Sequence, residues 1–213
     1  MIQIKTFTVN SFGENCYLLY DDTKEAVIID CGCSSPIEEN EISACITSHQ
    51  LILKHHLCTH IHVDHLFGAP FIYKKYGLLP EADAKDIQQM PSIQQQAMLF
   101  GLPRISEDIS FGCELHAGDC VKFGHSELHV LEVPGHSPGS VAFYAPTIKA
   151  VFVGDALFAG SIGRTDFWGG SHEQLIRSIK EQLLTLPDET NVFPGHGPET
   201  TIAYEKIHNL FLH

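Results

Sequence analysis

"THIHVDH", residues 59 to 65, places three histidines and an aspartate within seven positions. It follows directly on "LILKHHLC" (51 to 58), an apolar-flavoured run that reads as a β-strand. With 14 His in 213 residues, the cluster is either a polar loop or the rim of a metal site. Spacing separates two jobs within it. His60 and His62 are two apart, so in an extended loop they face one side and can grip one cation. Asp64 and His65 fall where a helix is expected to begin and turn towards a neighbouring position.

Three further segments end a predicted strand in the same way: "LHVLEVPGH" at His136, "AVFVGD" at Asp155 and "NVFPGH" at His196. Each carries glycine immediately before the polar residue, which permits a sharp turn and close backbone approach. Layered α/β proteins collect their chemistry at strand carboxyl ends, so the four ends are expected to converge on one cleft. His136 then joins His60 and His62, His196 joins Asp64 and His65, and Asp155 bridges. Two cations each receive a mixed nitrogen and oxygen set, which suits zinc, manganese or iron without choosing among them. Asp64 and Asp155, the two carboxylates of the set, are the candidate catalytic residues.

The rest of the chain supplies the frame. "IQIKTFTV" (2 to 9), "NCYLLY" (15 to 20) and "EAVIID" (25 to 30) read as consecutive strands. A helix is expected from "SPIE", where Ser35 caps, Pro36 takes the first helical position and Glu38 completes a capping box. A helical stretch over 64 to 76, ended by Gly77, and shorter helices around "EADAKDIQQM" and "PSIQQQAMLF" follow. Then come strands at "CVKFG", "ELHVLEV", "SVAFYA" and "KAVFVG". "SHEQLIRSIKEQLLTLP" reads as an amphipathic helix with Ser171 and Gln174 as a second capping box, before a strand "NVFP" and a helix from Pro198. Strands, helix, strands, helix, repeated once, indicate a layered α/β protein with sheets inside and helices outside.

Composition limits what the site can serve. A 44% hydrophobic content without linker, repeat or charge block is expected to fold as one domain over 1–213. A formal charge of −13, from 13 basic and 26 acidic residues, would repel phosphate backbones and anionic lipid, so neither nucleic acid nor membrane is expected as a partner. No secretory leader and no run of ~18 apolar residues is visible, and a cytoplasmic location is expected. The seven cysteines are odd in number and are expected to be free thiols; Cys31 and Cys33 read as small buried side chains. His49, His55, His56, His116, His125, His129, His172, His208 and His213 are expected to be solvated.

"HIHVDH" matches residue for residue the H-x-H-x-D-H signature of the metallo-β-lactamase superfamily, and the chain resembles that family over essentially its whole length. "GHSPGS", "GDALFAGSIGRTDFWGG" and "PGHGPETTI" are similar to the later motifs of its short bacterial glyoxalase II-like (hydroxyacylglutathione hydrolase-like) enzymes. The resemblance implies an αββα sandwich, two mixed β-sheets face to face with helices on both outer sides. It implies His60, His62 and His136 on a first divalent metal, Asp64, His65 and His196 on a second, Asp155 on both, and Asp30 orienting a ligand. The chemistry implied is attack of a metal-bridging hydroxide on a small-molecule thioester, with thiolate leaving unaided. Arg164, in "GRTD", either reaches a substrate carboxylate or braces its loop against Asp166. Two other readings stay open: a persulfide dioxygenase with a single iron, whose relatives also carry "GRTD", and a non-catalytic metal-binding domain, which would be expected to lack ligands. Nothing in the sequence sets the oligomeric state.

Overall fold

In β2 (Glu14–Tyr20) every residue is buried, and in β3 (Glu25–Ile29) all but the first are. Only a sheet covered on both faces produces that pattern. The period of two then sorts the side chains: Tyr17, Leu19, Val27 and Ile29 face a second sheet, whereas Leu18, Tyr20, Ala26 and Ile28 face helices. The computed structural model describes residues 1–102 and 109–213.

One six-stranded sheet has the order β1-β2-β3-β4-β5-β6, where β1 is Gln3–Val9, β4 Ile52–Leu57, β5 Pro80–Asp83 and β6 Glu114–Leu115. Its first three strands are antiparallel neighbours, and β3, β4, β5 and β6 run parallel. The second sheet has the order β14-β13-β10-β9-β8-β7, built from β7 (Cys120–Phe123), β8 (Ser126–Glu132), β9 (Val141–Ala145), β10 (Ala150–Gly154), β13 (Asn191–Pro194) and β14 (Thr200–Thr201). A small hairpin of β11 (Leu157–Phe158) and β12 (Ser161–Ile162) follows β10. Between the sheets lie Tyr17, Leu57, Val130, Phe143, Phe152 and Phe193, with Phe152 and Phe193 stacked at 4.9 Å. Each such fully buried side chain contributes ~1.5–3 kcal/mol by leaving water.

Helices close both outer faces, giving the expected αββα sandwich. Ile42 and Ile46 of α1 (Pro36–Ser48) and Ile72 of α2 (Ala69–Tyr76) cover the first sheet. Leu175 of α5 (His172–Ser178) and Ile202 of α6 (Ile202–His208) cover the second. The helices α3 (Ala84–Gln89) and α4 (Ile93–Leu99) pack over one end of the sandwich with Ile61, Val63 and Leu66. The Ser35–Glu38 capping box forms, with Glu38 also accepting from the Asn10 N–H at 2.9 Å. No described helix is long and apolar enough to cross a membrane.

Several local expectations differ from the fold. "PEAD" at 80 to 83 is strand rather than helix, because His56 and Leu57 of β4 pair with Pro80 and Glu81 and supply a ladder that local propensity does not foretell. The helix expected over 64 to 76 begins at Ala69, after a single 3₁₀ turn at Val63–His65. The final helix starts at Ile202, not Pro198, since Asn191 and Val192 draw Thr201 and Thr200 into a strand. Ser171 caps α5 through the Gln174 N–H at 3.3 Å without the reciprocal side-chain bond, and the helix continues as a π-turn over Ile179–Leu183. His56, expected in solvent, is fully buried, and burial without a partner pushes its imidazole down to about 3. All seven cysteines are free, with Cys31 and Cys33 buried and their sulfurs 3.6 Å apart.

Candidate metal centre

Four strand ends deliver the polar residues as the sequence suggests: β4 leads to His60, β8 to His136, β10 to Asp155 and β13 to His196. Two of the preceding glycines are required where they stand. Gly154 adopts a φ of +51° with Thr59 packed against it, and a side chain on Gly195 would run into Asp155 and His65. The extended backbone at His62 then feeds the 3₁₀ turn that carries Asp64 and His65.

The seven side chains converge. Donor atoms of His60, His62 and His136 lie within 4.8 Å of one another, and so do those of Asp64, His65 and His196. Asp155 stands between the groups, its Oδ2 3.7 Å from His136 Nε2 and 3.6 Å from His196 Nε2, and its Oδ1 3.5 Å from His65 Nε2. His196 Nε2 is 3.2 Å from Asp64 Oδ2. The outward ring nitrogens are tied down: His136 Nδ1 to the Arg164 carbonyl at 2.8 Å, His196 Nδ1 to the Phe12 carbonyl at 3.2 Å, His60 Nδ1 to the Thr59 hydroxyl at 3.0 Å. Fixing one nitrogen aims the other inward. Asp30 sits behind His65, with Oδ2 3.2 Å from Nδ1, and is itself held by the Thr59 N–H and hydroxyl.

A cation fits the atoms left over. His60 Nε2, His65 Nε2 and Asp155 Oδ1 are buried without a hydrogen-bond partner, a cost of ~1–3 kcal/mol each unless something else satisfies them, and His62 Nδ1 and His136 Nε2 face each other at 2.8 Å. Burial, helped by neighbouring imidazoles, pushes His60 well below the usual histidine range, and His62 down to about 3. Burial also lowers His136. Neutral imidazoles present lone pairs, as a metal requires. For His65, burial acts downward but the carboxylates of Asp64, Asp155 and Asp30 outweigh it and raise the group. For Asp155, burial acts upward but His65, His136 and His196 hold it below the usual carboxylate range.

Comparison with known proteins agrees. Residues 9–196 match the family described as Metallo-beta-lactamase superfamily. The chain belongs to the metallo-β-lactamase superfamily. Hydroxyacylglutathione hydrolase GloC of Haemophilus influenzae is 38% identical over 212 residues, covering 99% of this chain and 98% of its own. Among solved structures of the superfamily, the BLEG-1 B3 metallo-beta-lactamase superposes with a TM-score of 0.86 at 33% identity over 99% of both chains. TTHA1623 in a di-iron-bound form superposes at 0.85 with 36% identity, covering 98% of this chain and all of that one. The superfamily's histidine-rich centre holds divalent metal, and the donor set above fits that role.

Residues that sequence reasoning passed over hold the metallo-β-lactamase loops in place. Asp86 of α3 accepts from the Ile61 N–H (3.2 Å), the Ser137 hydroxyl (2.8 Å) and the Gly139 N–H (2.6 Å), and so ties the loop of His60 and His62 to that of His136. Gln96 of α4 accepts from the Val63 N–H and donates to the Ile61 carbonyl, each at 3.0 Å. Asn10 donates to the Asp64 carbonyl at 2.9 Å, and the Tyr17 hydroxyl to the Pro194 carbonyl at 2.6 Å. Asp86 and Gln96 are indistinguishable in sequence from the solvated residues of a short polar helix. Of the two readings of Arg164, the side chain makes the contact that a brace requires: the guanidinium, half exposed, pairs with Asp166 at 2.7 and 2.8 Å and lies 3.6 Å over the Phe167 ring. Trp168 stacks on Phe167 at 5.4 Å and packs against the cluster of Ile61 and Val63.

Proposed function

We propose that the protein is a glyoxalase II-like hydrolase that cleaves a small-molecule thioester in the cytoplasm, without nucleic-acid or membrane partners. The observation that carries this reading is Asp155 set between two groups of three donors, with His60 Nε2, His65 Nε2 and its own Oδ1 buried and without a hydrogen-bond partner. The relative from Haemophilus influenzae supports the substrate class. Two divalent cations, zinc, iron or manganese by donor chemistry, held by His60, His62 and His136 and by Asp64, His65 and His196 with Asp155 on both, would supply an acidified water and polarise a carbonyl.

The chain's own part is positioning. The Arg164 and Phe12 carbonyls fix the tautomers of His136 and His196 so that both Nε2 atoms face Asp155. Asp64 and Asp155, with side chains 15% and 14% exposed, reach the floor of a cavity of about 190 Å³, where a carbonyl can approach. A thiolate departs without a proton donor, so no separate general acid is needed.

Metal analysis of protein purified without added metal, with an assay on the lactoyl thioester of glutathione, tests the proposal. Two metals per chain and release of free thiol are expected. A single iron with no thiol release would move the assignment to the mononuclear dioxygenase.

A further inference from the structure

Above the metal-binding floor, the cavity has a wall that the hydrolytic reading leaves unused. Its lining comprises His62, Asp64, His136, Asp155 and His196 below and Phe12, Phe100, Phe167 and Arg164 above. The three phenyl rings come from unrelated segments: the β1–β2 turn, the cap of α4 and the loop after β12. They nevertheless touch in series. Phe12 meets Phe100 edge to face at 6.2 Å, and Phe100 meets Phe167 edge to face at 5.6 Å. Phe167 in turn lies edge-on to His62 at 6.3 Å, so the collar continues down to the candidate ligands. Phe12 and Phe100 remain 41% and 36% exposed, beside Met98 and Leu99 at 80% and 60%, so the collar adjoins an exposed apolar patch.

Charge and size narrow what the collar can hold. Arg164 is the sole cation among the described residues lining the cavity, and Asp166 and the Phe167 face already take its guanidinium. A carboxylate on the ligand therefore finds no free positive partner on this wall. A hydroxyl pressed against phenyl rings would lose water without gaining a hydrogen bond. The volume of about 190 Å³ falls below the ~300–1,000 Å³ of clefts that enclose a whole drug-sized ligand. A space of that size suits one half of a thioester, and the acyl carbon must in any case reach the floor where Asp64 and Asp155 lie.

We propose that Phe12, Phe100 and Phe167 form an acyl subsite that selects apolar, aryl-bearing acyl groups over hydroxyacyl groups. The inference rests on the thioester reading and sharpens it. An aryl ring entering the collar would stack edge to face with Phe100 and displace poorly held water, contacts that a lactoyl group cannot make.

Acetyl, lactoyl and phenylacetyl thioesters of one small neutral thiol provide the test. The kcat/KM for phenylacetyl is expected to exceed that for lactoyl by roughly tenfold. The phenylacetyl-to-acetyl ratio should fall by about the same factor in Phe12→Ala and Phe100→Ala, both partly exposed positions, and hold in Tyr73→Ala on α2. A second readout does not need turnover. Trp168, the single tryptophan, stacks on Phe167, so its emission should change on binding phenylacetate at lower concentration than lactate, with weaker binding in Phe100→Ala. Cleavage of all three thioesters with lactoyl preferred, or with ratios unmoved in both phenylalanine variants, overturns the subsite and leaves the hydrolase standing. If no thioester is cleaved, the proposed function fails and takes the acyl assignment with it, whichever carboxylate binds.

Discussion

Strand β2 has an aspartate just past one end and candidate metal chemistry at the other, and the two ends satisfy their polar atoms in opposite ways. Past its carboxyl end, Asp21 accepts from the Thr23 N–H and hydroxyl, the His125 N–H and the Ser126 hydroxyl, at 2.5 to 2.9 Å. It staples the β2–β3 turn to the β7–β8 turn, joining the two sheets, and every oxygen is used. At the amino end, seven residues and about 23 Å away by strand geometry, Glu14, His65 and Asp155 carry buried atoms with no partner. Both ends concentrate charge, yet only one is complete without a ligand. Several incomplete polar groups gathered at one place, rather than charge alone or a single orphan such as His56, distinguish a binding site from a brace.

The sharpest way to break that comparison is to remove Asp155. Asp155→Ala and His60→Ala are expected to lower thioester hydrolysis by roughly a thousandfold or more, since the activated water loses its holder. Added zinc is expected to raise the melting temperature of the unaltered protein, and both variants should lose that rise. Cys31→Ala and Cys33→Ala, changing buried thiols that pack beside Gly68 on the helix side of the sheet, should keep activity. A folded, metal-loaded Asp155→Ala variant that still hydrolyses thioesters would erase the distinction between the two ends.

Asp86 is expected to come next, because it completes the metal end from behind. Burial pushes its carboxyl up to about 6, even though three hydrogen bonds from Ser137, Gly139 and Ile61 oppose the shift. Asp86→Ala leaves the Ile61 and Gly139 N–H groups without acceptors, at ~1–3 kcal/mol each. Both loops carrying the first histidine group should loosen, with metal affinity falling by roughly 10- to 100-fold. Competition with a chromogenic chelator measures this; unchanged affinity in a folded variant would confine Asp86 to stability.

How much of this was legible beforehand follows from the range of the forces involved. The signature at 60 to 65, the glycines before His136, Asp155 and His196, and the β-rich runs of β2 and β3 are local patterns, and each appears where the sequence puts it. Strand β5 depends on pairing with β4 and β6, partners distant in sequence, so "PEAD" shows only its helix-like composition. His56 and Asp86 are buried by elements that pack on them from elsewhere, and nothing adjacent in sequence marks either as interior. The convergence of seven donors was readable because four separate strands end alike; their clamps were not, because each uses a single residue.

Asp21 offers a smaller effect with a definite sign. Although burial acts upward, hydrogen bonds led by the Thr23 and Ser126 hydroxyls hold its carboxyl down at about 2, below the model-peptide value near 3.9. A depressed folded value means the unfolded chain binds the proton first. The stability Asp21 contributes is therefore present above about pH 4 and lost as pH falls towards 2, on the order of 1 kcal/mol after allowance for solvent screening. Comparing urea unfolding of the protein and of Asp21→Asn across that window isolates the contribution; parallel curves would show the staple to be electrostatically idle.

Arg164 should give the smallest effect, and it tests whether completeness can be read locally as well as between ends. Its carbonyl serves His136, a contact that any residue at that position keeps, whereas its guanidinium is spent on Asp166 and the Phe167 ring at a half-exposed surface. If the side chain only braces its loop, Arg164→Ala should change kcat/KM by no more than about threefold, as expected for an exposed ion pair, and equally for neutral and acidic thioesters. If instead it leaves Asp166 to grip a substrate carboxylate, KM for a glutathione thioester should rise roughly tenfold or more while a neutral thioester is unaffected. The double variant Arg164→Ala/Asp166→Ala separates the two further. A brace loses nothing more once its partner is gone, so the double variant should match the single one on both substrates. A carboxylate-binding arginine freed by Asp166→Ala alone should instead bind the acidic substrate more tightly than the unaltered protein does. The bidentate pairing favours the brace, and equal, small losses on both substrates are the expected result.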